Sequence, residues 1–454
     1  MGRDGSTRRD VRPALILLVV VTFGIPSMLV VRPLGGSATP AALLGMTLFL
    51  WWAASRLLGP SMEDPHVAMR PLHLGFAFFA ATVVLSNWAG NFWARTPLEM
   101  RSSDRALLLV VAWTGIALAT ADGIATRRSL DRVLRALVIG AAAMASVGML
   151  QFFFGLNIAR FVHFPGLSTR LDLGGIDERS GFNRVAGTAT HPIEFGVTLA
   201  ILLPLAVHYA VTSVGRRRRV FAVCLGIIAA AMPMSLSRSA TLGGVVAGAV
   251  LFAGWSNGQR KKALIIVPVF AIVMRLLVPG LLGSIRSLFI NLNSDPSIQG
   301  RTQDYAYVEQ FFAQSPIVGR GYGTFIPELY TTLDNTYLGL VVETGLLGVA
   351  AMLTLFLVGI VCARGARRRA GDEETRHLAL ALTASISVAM VTFATFDSLA
   401  FPMVTTSLFL VLGGTAALWR LTVSEHGYAI PHAWASPPPP TADLKSLLGA
   451  ARNR

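Results

Sequence analysis

The sequence predicts an all-α polytopic membrane protein, and three observations carry that prediction. The 454-residue chain is 53% hydrophobic and only 14% charged, where an ordinary soluble domain carries about 25% charged residues. Its mean hydropathy is +0.59. Its apolar residues fall in continuous blocks of roughly 17 to 25, the length that crosses a bilayer as helix, not in the alternating runs of a membrane barrel. The two cysteines, Cys224 and Cys362, lie in or at the edge of separate apolar blocks and imply no disulfide framework.

Taken in order, the predicted spans are Pro13–Val31, Thr39–Leu58, Leu72–Trp88, Ala106–Ala121 and Leu134–Phe154, then a polar loop, Gly155–His191. Pro192–Ser213, Val220–Ser235, Ala240–Trp255 and Ala263–Pro279 follow, and a second long loop runs from Gly280 to Thr336. Tyr337–Val361, Leu378–Phe396 and Phe401–Arg420 complete a bundle of about twelve helices. Residues 1–12 form a polar N-tail, and the stretch from Thr422 onward, with Pro437–Pro440, reads as a disordered proline-rich tail.

The net charge is +15. In a membrane protein this is orientation information, because the basic residues gather in alternate connections: Arg216–Arg219, Arg260–Lys262, and Arg364 to Arg376. The positive-inside bias makes that side the cytoplasm and leaves both long loops and the approach to the tenth span external, with both termini inside. No reason remains to invoke nucleic acid.

Residues 300–348 concentrate the polar chemistry. Arg301 opens a short helical pattern with Tyr305, Val308, Phe311 and Phe312 at spacings of three and four. Ser315-Pro316 ends it, and a glycine-rich turn, Gly319-Arg320-Gly321-Tyr322-Gly323, follows. Asp334-Asn335 then precede an apolar run interrupted by Glu343. Arg301, Arg320 and Arg238 are solvated or snorkelling charges if taken singly; converging on one cavity, their guanidinium forks suit a diphosphate. The turn could add backbone N–H groups toward the same anion. Asp334 is either a helix cap or a general base. Glu343, about 12 Å into its span, calls for a partner such as Arg238, in a structural ion pair or a functional site. His191, before Pro192, either caps its span or donates to an anion.

Three blocks of the chain resemble the O-antigen ligase and polymerase superfamily of bacterial envelope glycosyltransferases. They are Gly187–Gly196 leading to Leu203-Pro204-Leu205, then Ser237-Arg238-Ser239-Ala240, then a set from Gly300-Arg301 through Tyr305, Phe311, Pro316, Gly319, Gly321, Gly323, Asn335, Leu338, Glu343 and Gly345 to Gly348. The likeness covers residues 185–360 closely. It implies a GT-C-like bundle in the bacterial inner membrane that transfers a glycan from an undecaprenyl-diphosphate carrier to an acceptor hydroxyl, without cofactor or metal. It gives Arg238 and Arg301 the diphosphate and puts Asp334 at the position of the proposed base, so these three are the expected catalytic residues; Arg320, Gly321, Gly323, Tyr305, His191, Asn335 and Glu343 are the expected substrate-binding residues. Its partners are the lipid-linked donor, a glycan or lipid acceptor, and the membrane itself. The chain departs from the family where a His-Asn pair is usual, since Asp334-Asn335 stand there, and Tyr305 replaces the usual tryptophan. A flippase or other transporter is the alternative reading; it predicts repeated halves and broken helices at the membrane midplane.

Overall fold

The computed structural model describes residues 10–31, 38–58, 70–162, 164–169, 177–179, 181–290, 304–305 and 307–427. Its helices are α1 (Arg12–Gly24), α2 (Pro40–Leu57), α3 (Pro71–Gly90), α4 (Pro97–Gly123), α5 (Arg127–Phe154), α6 (Pro192–Thr212), α7 (Gly215–Met234), α8 (Arg238–Gly254), α9 (Asn257–Leu277), α10 (Leu281–Ile290), α11 (Thr336–Arg369), α12 (Glu373–Thr392) and α13 (Pro402–Gly427). A helix thus overlaps each of the twelve predicted segments. Among the described residues, seven helices are long and apolar enough to cross a membrane: α3, α4, α5, α6, α11, α12 and α13. An eighth is reached if α9 and the first part of α10, bent by 108° at their junction, count as one broken span. The proline-rich tail and the first nine residues lie outside the described residues.

Side-chain caps start many of these helices. Thr39, Thr96, Thr126, Ser237, Ser256 and Asp372 each accept a backbone N–H of the first turn, which supplies a donor that the helix itself cannot satisfy. In α2, α4 and α6 a proline follows the cap directly, where its missing N–H costs nothing.

Helices α13, α12 and α6 form the centre of the bundle. Their apolar windows are 89%, 78% and 72% buried, whereas α3 is 39% buried and turns its other faces outward. Helix α9 is the extreme case, with Met274 its one buried residue.

Two differences from the sequence reading have local causes. The first apolar block does not stay helical to Val31: Pro26 cannot continue the helix, and Leu29–Val31 becomes strand β1, antiparallel to β2 (Leu167–Thr169) of the following polar loop. A second hairpin, β3 (Asp177–Arg179) with β4 (Phe182–Arg184), lies in the same loop. The basic connections are shorter than predicted because the helices absorb them. Helix α5 begins at Arg127 and α7 at Gly215, so Arg127, Arg128 and Arg216–Arg219 are helical residues that extend the bundle past its apolar zone.

One end of the bundle is tied by charge. Asp122, at the end of α4, accepts from Trp52 Nε1 (2.9 Å), Arg56 Nη2 (2.6 Å) and Arg70 Nη1 (3.2 Å) and lies 3.1 Å from His73 Nε2. Arg420 donates to the carbonyls of Ala121 and Ile124 beside it. The opposite end carries the candidate site.

Candidate functional site

The site is built around a break in α11. Gly345, at φ 65° and ψ −167°, interrupts the helix, in a region of backbone space that glycine alone occupies readily. A break inside an apolar span leaves N–H and C=O groups that must be satisfied within the protein. The segment 315–325 satisfies them. Arg320 N donates to Val342 O (3.1 Å) and Gly321 N to Glu343 O (2.9 Å), completing the first half of the helix. Leu346 N and Leu347 N of the second half donate to Pro316 O (2.9 Å) and Ile317 O (3.1 Å). Ser86 Oγ of α3 adds a second donor to Glu343 O at 2.6 Å. The fit leaves no room for a side chain at either crossing: a Cβ on Gly319 would meet the Glu343 backbone, and one on Gly345 would meet the Ile317 backbone. Gly345→Ala should therefore destabilise the protein by roughly 1–3 kcal/mol from the backbone conformation alone, with the collision added. The thermal unfolding midpoint of the purified variant measures it.

This stitching corrects two sequence expectations. The glycine-rich turn does not hold its amides out to an anion, because the N–H groups of Arg320 and Gly321 bond the broken helix and that of Gly323 bonds the Glu343 carboxylate. The Glu343 carboxylate, for which a partner arginine was expected, is met by two backbone donors, Gly323 and, at 3.1 Å to Oε1, Phe325. Buried carboxylates are retained where hydrogen bonds hold them; here the acid clips the loop to the span.

Arg320 leaves this knot with its guanidinium 4.9 Å from the ring centre of Phe311 and 5.7 Å from that of Tyr330, within cation–π range. Its carbonyl accepts from Arg95 Nη2 at 2.7 Å. Tyr330 in turn donates to Glu99 Oε1 at 2.6 Å, and Glu99 closes a capping box with Thr96 at the start of α4. Burial, and after it this hydrogen bond, raises the Tyr330 phenol above its usual range. The loop before α11 is thus bound to the α3–α4 connection as well as to the broken helix.

Asn335 caps α11, its Oδ1 accepting from Tyr337 N (3.0 Å) and Leu338 N (3.3 Å). Asp334 is therefore not the cap. Thr336 fastens the start of α11 to the turn between α12 and α13: its N donates to Phe393 O (2.9 Å), its Oγ1 donates to Phe396 O (2.9 Å), and Ser398 N donates to its Oγ1 (2.8 Å). That turn carries Asp397, which the sequence reading missed. Burial pushes the Asp397 carboxyl up to about 6; the nearby charge of Asp334 adds to the shift, and the N–H groups of Leu399 and Ala400 oppose it. Two carboxyl groups thus stand together at the head of α11. The sequence held one signal for Asp397: it is a lone acid in a short turn between two apolar blocks.

Two more helix starts belong to this end. Arg238 is the first residue of α8, behind the cap Ser237. The preceding Leu236, at φ 48°, is the positive-φ non-glycine residue among those described, and such strain gathers at sites that the surrounding structure enforces. Ser239 Oγ donates to Thr395 O at 3.4 Å, bringing this start against the Asp397 turn. His191 caps α6, its Nδ1 accepting from Ile193 N at 3.2 Å, with its ring 6.1 Å from that of Phe401. Glu194, also missed, is fully buried and accepts from Thr190 N (2.7 Å), Ser27 Oγ (3.1 Å) and Met403 N (2.8 Å), joining α6 to the start of α13. Tyr305 is exposed, and Arg301 lies outside the described residues.

Residues 220–353 match the family described as O-Antigen ligase, from within α7 to beyond the break in α11. Over that segment the chain is similar to the O-antigen ligase family. The match contains Arg238, Arg301, Arg320, Asp334, Asn335, Glu343 and Gly345 but ends before Asp397. No curated protein matches the chain.

Proposed function

We propose that the chain is a membrane glycosyltransferase. It moves a glycan from an undecaprenyl-diphosphate carrier to an acceptor hydroxyl at the external face of the bacterial inner membrane, as a surface-polysaccharide polymerase or an O-antigen-type ligase. The observation that carries this reading is the meeting of Asp334, Asp397 and the start of α8, with Arg238 as its first residue, at one end of the bundle, within or beside the family segment. The end remote from the arginine-rich helix starts of α5 and α7 is external by the positive-inside bias, with both termini on the other side.

In this reaction the acceptor oxygen attacks the sugar C1 while the bond from C1 to the diphosphate oxygen breaks. The acceptor proton passes to Asp334, and the diphosphate leaves on its lipid. Arg238 and Arg301 hold the diphosphate; Arg320, fixed over two aromatic rings, contributes positive charge at the same end of the bundle. Gly321, Gly323, Asn335 and Glu343 act by holding the loop and helix in place, and His191 by starting α6.

The break in α11 is also what a transporter would show. It is filled, however, by a loop from the same end of the bundle, and α11 is the helix with a non-helical interior residue among those described. A break that is filled in this way favours a fixed platform for chemistry.

The test is transfer by the purified protein from an undecaprenyl-diphosphate-linked glycan to an acceptor glycan or lipid. Arg301→Lys should lower turnover by roughly 10²-fold although charge is kept, because an ammonium cannot place two donors on a diphosphate. Unchanged turnover in that variant takes Arg301 out of the site; absence of transfer by the unaltered protein removes the whole reading.

A further inference from the structure

A residue far outside the family segment holds Arg320 in place. Arg95 lies in the connection between α3 and α4, and its Nη2 donates to the carbonyl of Arg320 at 2.7 Å. The same nitrogen donates to Asn87 O, near the end of α3, at 3.4 Å. The guanidinium passes between two glycines: a Cβ on Gly90 or on Gly321 would overlap it. Its Nε is buried and has no hydrogen-bond partner among the described residues.

This placement is unfavourable taken alone. A buried guanidinium nitrogen without an acceptor loses hydration that it does not recover, and a second cation stands near it. Burial lowers the Arg95 guanidinium below its usual range, Glu99 opposes the shift, and Arg320 adds to it. What the arginine supplies is a charge-assisted hydrogen bond to one carbonyl, that of Arg320. Attachment of the loop does not depend on it, because the N–H groups of Arg320 and Gly321 already tie the loop to the broken helix. Arg95 adds a further anchor on the residue whose side chain carries the charge.

Arg320 is then held along its whole length. Its N donates to Val342 O and its O accepts from Arg95, so the peptide groups on both sides of it are fixed. Its guanidinium rests over the rings of Phe311 and Tyr330, and Tyr330 donates to Glu99. Arg95 and Glu99 stand four positions apart at the start of α4. One short stretch of chain thus bears on both the backbone and the side chain of Arg320. A charge fixed before the ligand arrives binds it without the entropy of ordering a long side chain, and it needs no reorganisation during reaction.

We infer that Arg95 is a positioning residue for the proposed transfer: by holding the Arg320 carbonyl between Gly90 and Gly321, it fixes where the Arg320 guanidinium stands and so strengthens binding of the donor's diphosphate. The inference rests on the reading given under Proposed function. In it Arg95 acts through Arg320 and does not itself touch the diphosphate.

The test titrates the purified full chain with undecaprenyl diphosphate, the carrier without its glycan, so that no transfer is needed. Arg320→Ala and Arg95→Ala, checked for monodispersity, should each weaken binding by about tenfold, the loss of one charge-assisted contact. Added to Arg320→Ala, Arg95→Ala should weaken it by less than about twofold more, because a residue that acts through another is not additive with it. Gly90→Ala keeps both charges and displaces the Arg95 guanidinium; it should weaken binding by a similar factor and lose that effect beside Arg320→Ala. Hydrogen exchange at the Arg320 and Gly321 amides should quicken in Arg95→Ala. Additive losses overturn the inference and leave Arg95 as a separate charge. Quickened exchange with unchanged binding overturns it too and leaves Arg95 as a fastening of the loop. A wild-type protein that does not bind undecaprenyl diphosphate removes the proposed function itself, and this inference with it.

Discussion

Asp334→Asn is expected to lower glycan transfer by about 10²–10⁴-fold while the protein folds and inserts as before. The structure makes this a clean substitution. Had Asp334 capped α11, a loss of activity would be hard to separate from a loose helix start. Asn335 makes both capping hydrogen bonds, so changing Asp334 leaves the cap in place. The asparagine keeps the shape of the side chain and cannot accept a proton. The acceptor in the proposed reaction is a sugar hydroxyl, a weak nucleophile at neutral pH, and a carboxylate within reach can take its proton as the bond to C1 forms. The leaving diphosphate needs no strong acid once arginines neutralise it. Asp334→His should recover part of the activity, because a histidine before the asparagine is what the family resemblance implies at this position. Asn335→Ala provides the contrast: it should lower stability by about 1 kcal/mol, the usual value of an N-cap. Transfer from a lipid-linked donor by all variants at matched membrane abundance is the measurement. If Asp334→Asn turns over like wild type, the base lies elsewhere.

The helical bundle was legible in the sequence because apolar block length is a strong signal, and a helix stands at each predicted segment. Helix ends were less legible. Arginines are good helix formers, so a run such as Arg216–Arg219 marks the end of an apolar zone without ending the helix. The site was legible in composition but not in wiring. Asp334, Asn335, Glu343 and the glycines stand out in the sequence as unusual residues for their setting. What the sequence could not reveal is that Gly319 and Gly345 are two sides of one crossing, because a break in a long helix and the loop that fills it are joined by backbone hydrogen bonds, which leave little trace in side-chain pattern. Glu343 misled for the same reason: a buried acid suggests a cationic partner, yet backbone donors serve as well. Asp397 went unnoticed because its importance comes from contact with residues some sixty positions earlier, through Thr336.

Asp397 also sets the expected pH response. Its carboxyl is pushed up to about 6, so it is mostly protonated below that pH and ionised above it. An ionised Asp397 puts a second negative charge at the head of α11, which favours the positive charge that develops on the attacked sugar. A protonated Asp397 removes that charge. Transfer should therefore fall as pH drops through about 6 and level off above it. Asp397→Asn fixes the neutral form at every pH: the variant should be slow at neutral pH, near the rate of wild type in acid, and its profile should lack the limb near 6. Glu343 is held by the loop amides, and Glu343→Gln should keep the limb. Turnover of matched wild-type and variant protein across pH 5 to 8, roughly the window in which a shifted carboxyl changes state, decides the matter. A limb near 6 that survives in Asp397→Asn belongs to another group and separates Asp397 from the reaction.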